Sequence, residues 1–206
     1  MRWAKQLKSL ADTGLHFGES EYDRERYQQV NDIAQAMLAS LANAPVAAIA
    51  RIYGDGEVGY RTPKIDVRAA IIRRGKILLV KEKSDGLWTL PGGYADVGLS
   101  LAENIKKEVE EEAGLQVKPE VIYCIRHKAK HEFDPDIRDF YKVYFLCRAP
   151  HDGKIFPGSE VSAVDFFDPT EVPPLSTGRV IAKDIEMAIQ AEEKLSREEL
   201  IVTRFD

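Results

Sequence analysis

The sequence predicts an α+β protein in which a mixed β-sheet lies between helices and a small helical N-terminal domain precedes it. Three observations predict it. Residues 3–41 place apolar side chains at helical spacing, the pattern turns to short strand-like runs beyond Pro63, and one amphipathic helix with termination signals at both ends stands between those runs. With 206 residues, 44% of them hydrophobic, the chain has material for one ordinary domain and one small one.

Taken in order, the first helix carries Trp3, Leu7, Leu10 and Ala11, and the second carries Tyr27, Val30, Ile33, Met37, Leu38 and Leu41. Residues 14–21 separate the two. Ser20, three positions before Asp23, starts the second helix, and an acid in the first turn suits the helix dipole. Pro45 opens a third short helix over residues 46–53. The run 54–59, Gly-Asp-Gly-Glu-Val-Gly, reads as a linker between a helical domain over 1–58 and a main domain over 59–206. So short a helical part buries little apolar surface alone and needs the main domain or a second subunit to pack against.

Residues 65–72 and 76–80 are strand-like, joined by the hairpin turn Arg73-Arg74-Gly75. A short apolar strand, 87–90, then runs into Pro91-Gly92-Gly93, where glycines let backbone approach a ligand closely. Further strands are expected over 117–125, 140–147 and 162–167, and a helix over 179–195 follows.

The intervening helix is the best specified element. Ser100 and Glu103 form a capping box, Ala102, Ile105, Val109 and Ala113 make an apolar stripe for docking on a core, and Gly114 ends the helix. Glu108, Glu111 and Glu112, at i, i+3 and i+4, project from one face toward a cleft. A bare E-x-x-E-E on a helix is usually a solvated acidic face. The glycine turn just upstream favours a different use, because hard oxygen ligands at this density suit Mg²⁺ or Mn²⁺, which bind through carboxylates, waters and the phosphate oxygens of a substrate.

These residues resemble the Nudix hydrolases, whose motif G-x5-E-x7-R-E-U-x-E-E-x-G-U (U, a bulky aliphatic residue) forms a metal-binding loop-helix-loop that cleaves nucleoside diphosphate derivatives. Gly93, Glu108, Val109, Glu111, Glu112, Gly114 and Leu115 match the motif. Leu99 replaces its first glutamate and Lys107 its arginine, losing the planar fork that braces a neighbouring glutamate. The wider stretch 63–104 is similar to the branch with a helical N-terminal domain that acts on CDP-choline-type or ADP-ribose-type substrates. That resemblance implies a Nudix-type mixed sheet, a homodimer, and a pyrophosphohydrolase releasing a nucleoside monophosphate, with CDP-choline ahead of ADP-ribose.

Under this reading Glu108, Glu111 and Glu112 bind the cation, with a backbone carbonyl of Gly92 or Gly93 as a further ligand. The carboxylate that takes the proton from the attacking water is open among Glu111, Glu112 and Glu160, the last in a Pro-Gly-Ser stretch able to place it over the helix. Arg68 and Arg179 are candidates for substrate phosphate, Tyr94 for stacking on a base or sugar, and His131, in the basic run 127–131, for an anionic substrate or single-stranded RNA. Bland alternatives stand beside each: salt bridges for the arginines, a solvated loop for His131, a surface acid for Glu160.

A net charge of −5 argues against a nucleic-acid coat, although bound cations allow small anionic substrates. Cys124 and Cys147 sit in apolar runs, as buried thiols of a reducing cytoplasm do, and no signal peptide or membrane span is expected. Three rival functions remain: a nucleotide-sensing module without turnover, which the departures at Leu99 and Lys107 allow, trimming of RNA ends through the basic run, and a structural dimerisation protein using its helical part, which leaves the glycine loop and the acidic face unexplained.

Overall fold

The computed structural model describes residues 1–54 and 59–206, so most of the expected linker, residues 55–58, lies outside the described residues. Two compact units are present, Met1–Pro63 with Asp136–Asp139, and Lys64–Pro135 with Phe140–Asp206.

The first unit contains α1 (Arg2–Phe17), α2 (Glu21–Ala42) and α3 (Val46–Tyr53). The break between α1 and α2 is shorter than expected, because α1 continues through Gly14, against which the Tyr27 ring of α2 packs directly. Ser20 caps α2, its Oγ accepting the Asp23 N–H at 3.0 Å, and Pro45 is the N-cap of α3. The buried apolar seam is small, formed by Ala4, Leu38, Ala39 and Ile49. Lys5 closes one end by donating to the Arg138 carbonyl at 2.8 Å and pairing with Asp139 at 2.9 Å. The expected inward faces are therefore corrected. Trp3 is 77% exposed and Leu10, Tyr27, Ile33, Met37 and Leu41 are also exposed, whereas Ala11 and Leu38 of the expected pattern are buried and α1 also buries Ala4, Lys5, Lys8 and Gly14. Alanines, Ala4, Ala11, Ala34 and Ala39, make up much of what these helices bury, with Leu38 and Ile49 as the large side chains held among them.

The second unit is a mixed sheet between two helices, as the sequence predicts. Its strands are β1 (Lys64–Arg73), β2 (Lys76–Glu82), β3 (Trp88–Thr89), β4 (Lys118–His127), β5 (Phe140–Arg148), β6 (Val161–Phe167) and β7 (Arg204–Phe205). The order is β3-β2-β1-β5-β4-β7, with β6 on β2. β1 and β5 are parallel, and β4 and β5 antiparallel. Helix α4 (Leu101–Ala113) packs Ile105, Val109 and Ala113 on one face, against Val67, Ala69 and Ile71 of β1. Helix α5 (Ala182–Ser196) packs Ile185, Met187 and Ala188 on the other, against Ala70, Ile77 and Leu79. Covered on both faces, β1 reads as an apolar run.

β1 and β2 pair only at Ile72↔Ile77 and Arg73↔Lys76, next to the hairpin turn, and then diverge. The chain after β3 fills the gap, running along β1 through Ala69 N–H to Pro91 O at 2.8 Å and Val67 N–H to Gly93 O at 2.8 Å. The glycine turn is thereby fastened to the central strand. α5 starts at Ala182 and not at 179, because the Asp184 carboxylate accepts the Ile181 N–H at 2.9 Å and defines a later first turn.

Candidate active site

Local sequence fixes both ends of α4. Ser100 Oγ accepts the Glu103 N–H at 3.2 Å, and the Glu103 carboxylate accepts the Ser100 N–H at 2.7 Å. Gly114 ends the helix in the left-handed conformation, φ 67°. Between these ends the three carboxylates face different surroundings. The side chain of Glu111 is 58% exposed, Glu108 is half-buried, and Glu112, expected to face an open cleft, is only 7% exposed.

Glu112 is drawn in by the glycine turn. Its Oε2 accepts the Gly92 N–H at 2.9 Å. Gly92 has φ 139°, and a Cβ there would collide with the Val67 carbonyl oxygen, so the turn requires glycine. A Cβ on Gly93 would lie 2.9 Å from Glu108 Oε1, which places that carboxylate directly over the turn. Burial pushes the Glu112 carboxyl up to about 8 against the pull of Arg68 and the Gly92 amide, with Glu108 and Glu82 adding repulsion. Burial raises Glu108 too, and the charges of Glu111 and Glu160 add to the rise.

Glu160 owes its place to a loop that caps the far end of α4. Phe156 N–H donates to Ala113 O at 3.2 Å and Gly158 N–H to Glu112 O at 3.2 Å, satisfying carbonyls the helix leaves open. Gly158 passes so close that a Cβ would collide with the Glu111 carbonyl oxygen. Lys83 then holds the segment through its Nζ on Ser159 O at 2.6 Å. The charge of Glu160 acts on Glu108.

The fold and sequence around this turn and helix are similar to those of known proteins. Residues 62–186 match the NUDIX domain model, and residues 1–53 match the model described as UDP-X-like, N-terminal oligomerisation domain. A putative ADP-ribose pyrophosphatase of Bacillus subtilis is 38% identical over 89% of this chain and 88% of its own length. The chain belongs to the Nudix hydrolase family. Among solved structures, an ADP-ribose pyrophosphatase from Streptococcus suis is 43% identical, covering 70% of this chain and 100% of its own, with TM-score 0.61. A UDP-X diphosphatase is 29% identical, covering 99% of this chain and 96% of its own, with TM-score 0.62.

The donor set of this Nudix site suits a divalent cation: every group is oxygen, and two carboxyls are raised by burial and mutual repulsion that a cation would relieve. Among the described residues no three acidic, His or Cys groups converge tightly enough to hold an ion as they stand, and Glu111 lies 3.4 Å from Lys107 Nζ. The Gly93 carbonyl is already taken by Val67 N–H, so of the two expected backbone donors the Gly92 carbonyl is the one without that bond.

The other expected substrate residues fare differently. Arg68 is buried, its guanidinium gripping both oxygens of Asp66 at 2.8 and 2.9 Å and the Leu90 carbonyl at 3.1 Å, so it lies beneath the turn and is not open to phosphate. Arg179 sits before α5 and pairs with Glu82 at 3.1 Å and Asp85 at 2.8 Å. Tyr94 stacks on Phe140, centroids 5.5 Å apart and planes at 6°, and remains 48% exposed. The basic run around His131 is not a free loop. Lys128–Lys130 form a 3₁₀ turn, Asp206 accepts the His127 N–H at 2.8 Å and lies 3.4 Å from His131 Nε2, and Lys128 sits over the Phe140 ring.

Sequence reasoning missed Glu82, a carboxylate at the end of β2 that repels Glu112, because it lies in a run reading as an exposed charged turn. It also missed Asn104, which is buried and accepts the Asp96 N–H at 2.7 Å, tying the 94–100 segment to α4. The spacing of Asn104 one turn before Glu108 is the only signal for it.

Proposed function

We propose that this Nudix hydrolase uses Mg²⁺ or Mn²⁺ to hydrolyse the diphosphate of a nucleoside diphosphate-linked small molecule, releasing a nucleoside monophosphate and a phosphorylated remainder. The observation that carries the reading is the Gly92 N–H held on Glu112, with Glu108 over Gly93, which gathers the family's oxygen donors at one turn. Glu108, Glu111, Glu112 and the Gly92 carbonyl hold the cation. A divalent cation held by these groups would supply Lewis-acid chemistry, acidifying a water and offsetting the charge of a diphosphate. Glu160, on its capped loop beside Glu108, accepts the proton of the attacking water, and the exposed Tyr94 ring offers a stacking face to base or sugar.

The two relatives named for ADP-ribose support ADP-ribose as first substrate, ahead of CDP-choline. The full-length likeness to the UDP-X diphosphatase supports a uridine diphosphate derivative as second. The helical unit forms a homodimer through its exposed apolar side chains, a reading supported by its match to an oligomerisation domain. The two buried free thiols suit a cytoplasmic setting.

The test is product identification with ADP-ribose, CDP-choline, UDP-sugars, NADH and short RNA, with Mg²⁺ or Mn²⁺ present or chelated. The expected result is cation-dependent AMP and ribose 5-phosphate from ADP-ribose, absent in Glu112→Gln. Tight nucleotide binding with no product from any compound would instead mark a sensor.

A further inference from the structure

We propose that Arg68 is a positioning residue of the active site, holding the turn through Leu90 so that Gly92 presents its N–H to Glu112; the inference rests on the hydrolase reading above. In the family motif a guanidinium braces the site from α4 itself. Here that position is Lys107, whose half-exposed ammonium pairs with Asp96 at 2.9 Å and Glu111 at 3.4 Å. Arg68 supplies a guanidinium from the neighbouring strand.

Alternation along β1 turns Arg68 to the face away from α4, with Asp66 and Ala70. Three successive β1 residues grip the turn. Val67 N–H holds the Gly93 carbonyl, Ala69 N–H holds the Pro91 carbonyl, and Arg68 Nη1 holds the Leu90 carbonyl at 3.1 Å. Of the four carbonyls from Leu90 to Gly93, that of Gly92 alone has no hydrogen bond among the described residues. The Arg68 fork is itself locked by Asp66, and Asp66 by Lys142, which faces it across the parallel β1–β5 pair with Nζ 2.9 Å from Oδ1. All three side chains are at most 7% exposed. Two cations against one anion leave a surplus positive charge beneath the turn, opposite the buried Glu112 carboxylate. A lysine at 68 would keep the charge but not span Asp66 and Leu90 at once.

The test uses Arg68→Lys and Arg68→Met in the full chain, with Ile185→Val in the α5 core as a stability control. Mn²⁺ binding to substrate-free protein is followed by electron paramagnetic resonance, alongside kcat, KM and Tm. For Arg68→Lys the expected result is a folded protein with kcat and Mn²⁺ affinity down roughly 10–100-fold and KM little changed. Ile185→Val keeps both at wild-type values at a comparable loss of Tm. Wild-type Mn²⁺ affinity and kcat in a folded Arg68→Lys protein overturn the proposal, as does an equal loss in Ile185→Val. Should Arg68→Met fail to fold, Arg68→Lys still decides. A wild type that hydrolyses nothing would defeat the hydrolase reading alone, because the Mn²⁺ titration reads the positioning role separately.

Discussion

At Glu112 burial raises the carboxyl to about 8 from an ordinary 4.5, while Arg68 and the Gly92 amide pull it down. A folded value above the unfolded one means that the stabilisation is complete below about pH 4.5 and is lost as pH rises through about 8. Metal-free protein is thus expected to lose roughly a few kcal/mol between pH 5 and 8 from this residue. Lys142, lowered to about 8 by burial, acts in another window, losing stability as pH falls from above 10 through about 8. Urea unfolding of wild type and Glu112→Gln across pH 5–8 isolates the effect: the variant should be flatter and more stable near pH 8. Parallel profiles would show that Glu112 is not held in the buried state described. Added Mg²⁺ should stabilise wild type above pH 7 and leave Glu112→Gln nearly unchanged, since a cation favours the ionised carboxylate.

α4 is an element whose two ends serve different purposes. The Ser100–Glu103 box is local and structural, and Ser100→Ala is expected to cost about 1 kcal/mol in chemical denaturation with turnover per folded molecule unaltered. At the other end the capping amides come from Phe156 and Gly158, so the helix terminus also places Glu160. Gly158→Ala should push the 156–160 segment off the helix. Its kcat should then fall at least as far as that of Glu160→Gln, and the Phe156 and Gly158 amides should exchange faster with deuterium. Full turnover in Gly158→Ala would remove Glu160 from the mechanism.

At the scale of the molecule, the helical unit has a thin buried seam and an outer surface carrying Trp3, Leu10, Phe17, Ile33, Met37 and Leu41. Scattered apolar residues on a surface need no explanation, but Ile33, Met37 and Leu41 recur at helical spacing on α2 and make a continuous stripe. Ile33→Asp with Met37→Asp should convert a dimer to folded monomer in sedimentation velocity. A wild type that sediments as a monomer would leave the stripe without this role.

What the sequence determined by itself was whatever depends on neighbours a few positions away: the capping box, the Gly114 stop, the Ser20 cap, the β1–β2 turn, the spacing of the three glutamates and the family they mark. The requirement for Gly92 was legible for the same reason, because a glycine pair between a strand and a helix signals backbone that other residues cannot adopt. Tertiary structure decided the rest. Whether Glu112 faces solvent or the turn depends on a Gly92 amide 20 positions away, and whether Arg68 meets phosphate or protein depends on Asp66, Leu90 and, through Asp66, a lysine 76 positions away. Asp206 likewise changes the reading of His131 from outside any window around it. Periodicity also misassigned much of the helical unit's inner face, because hydrophobicity says which residues favour burial, while the packing of the helices decides which of them the seam holds.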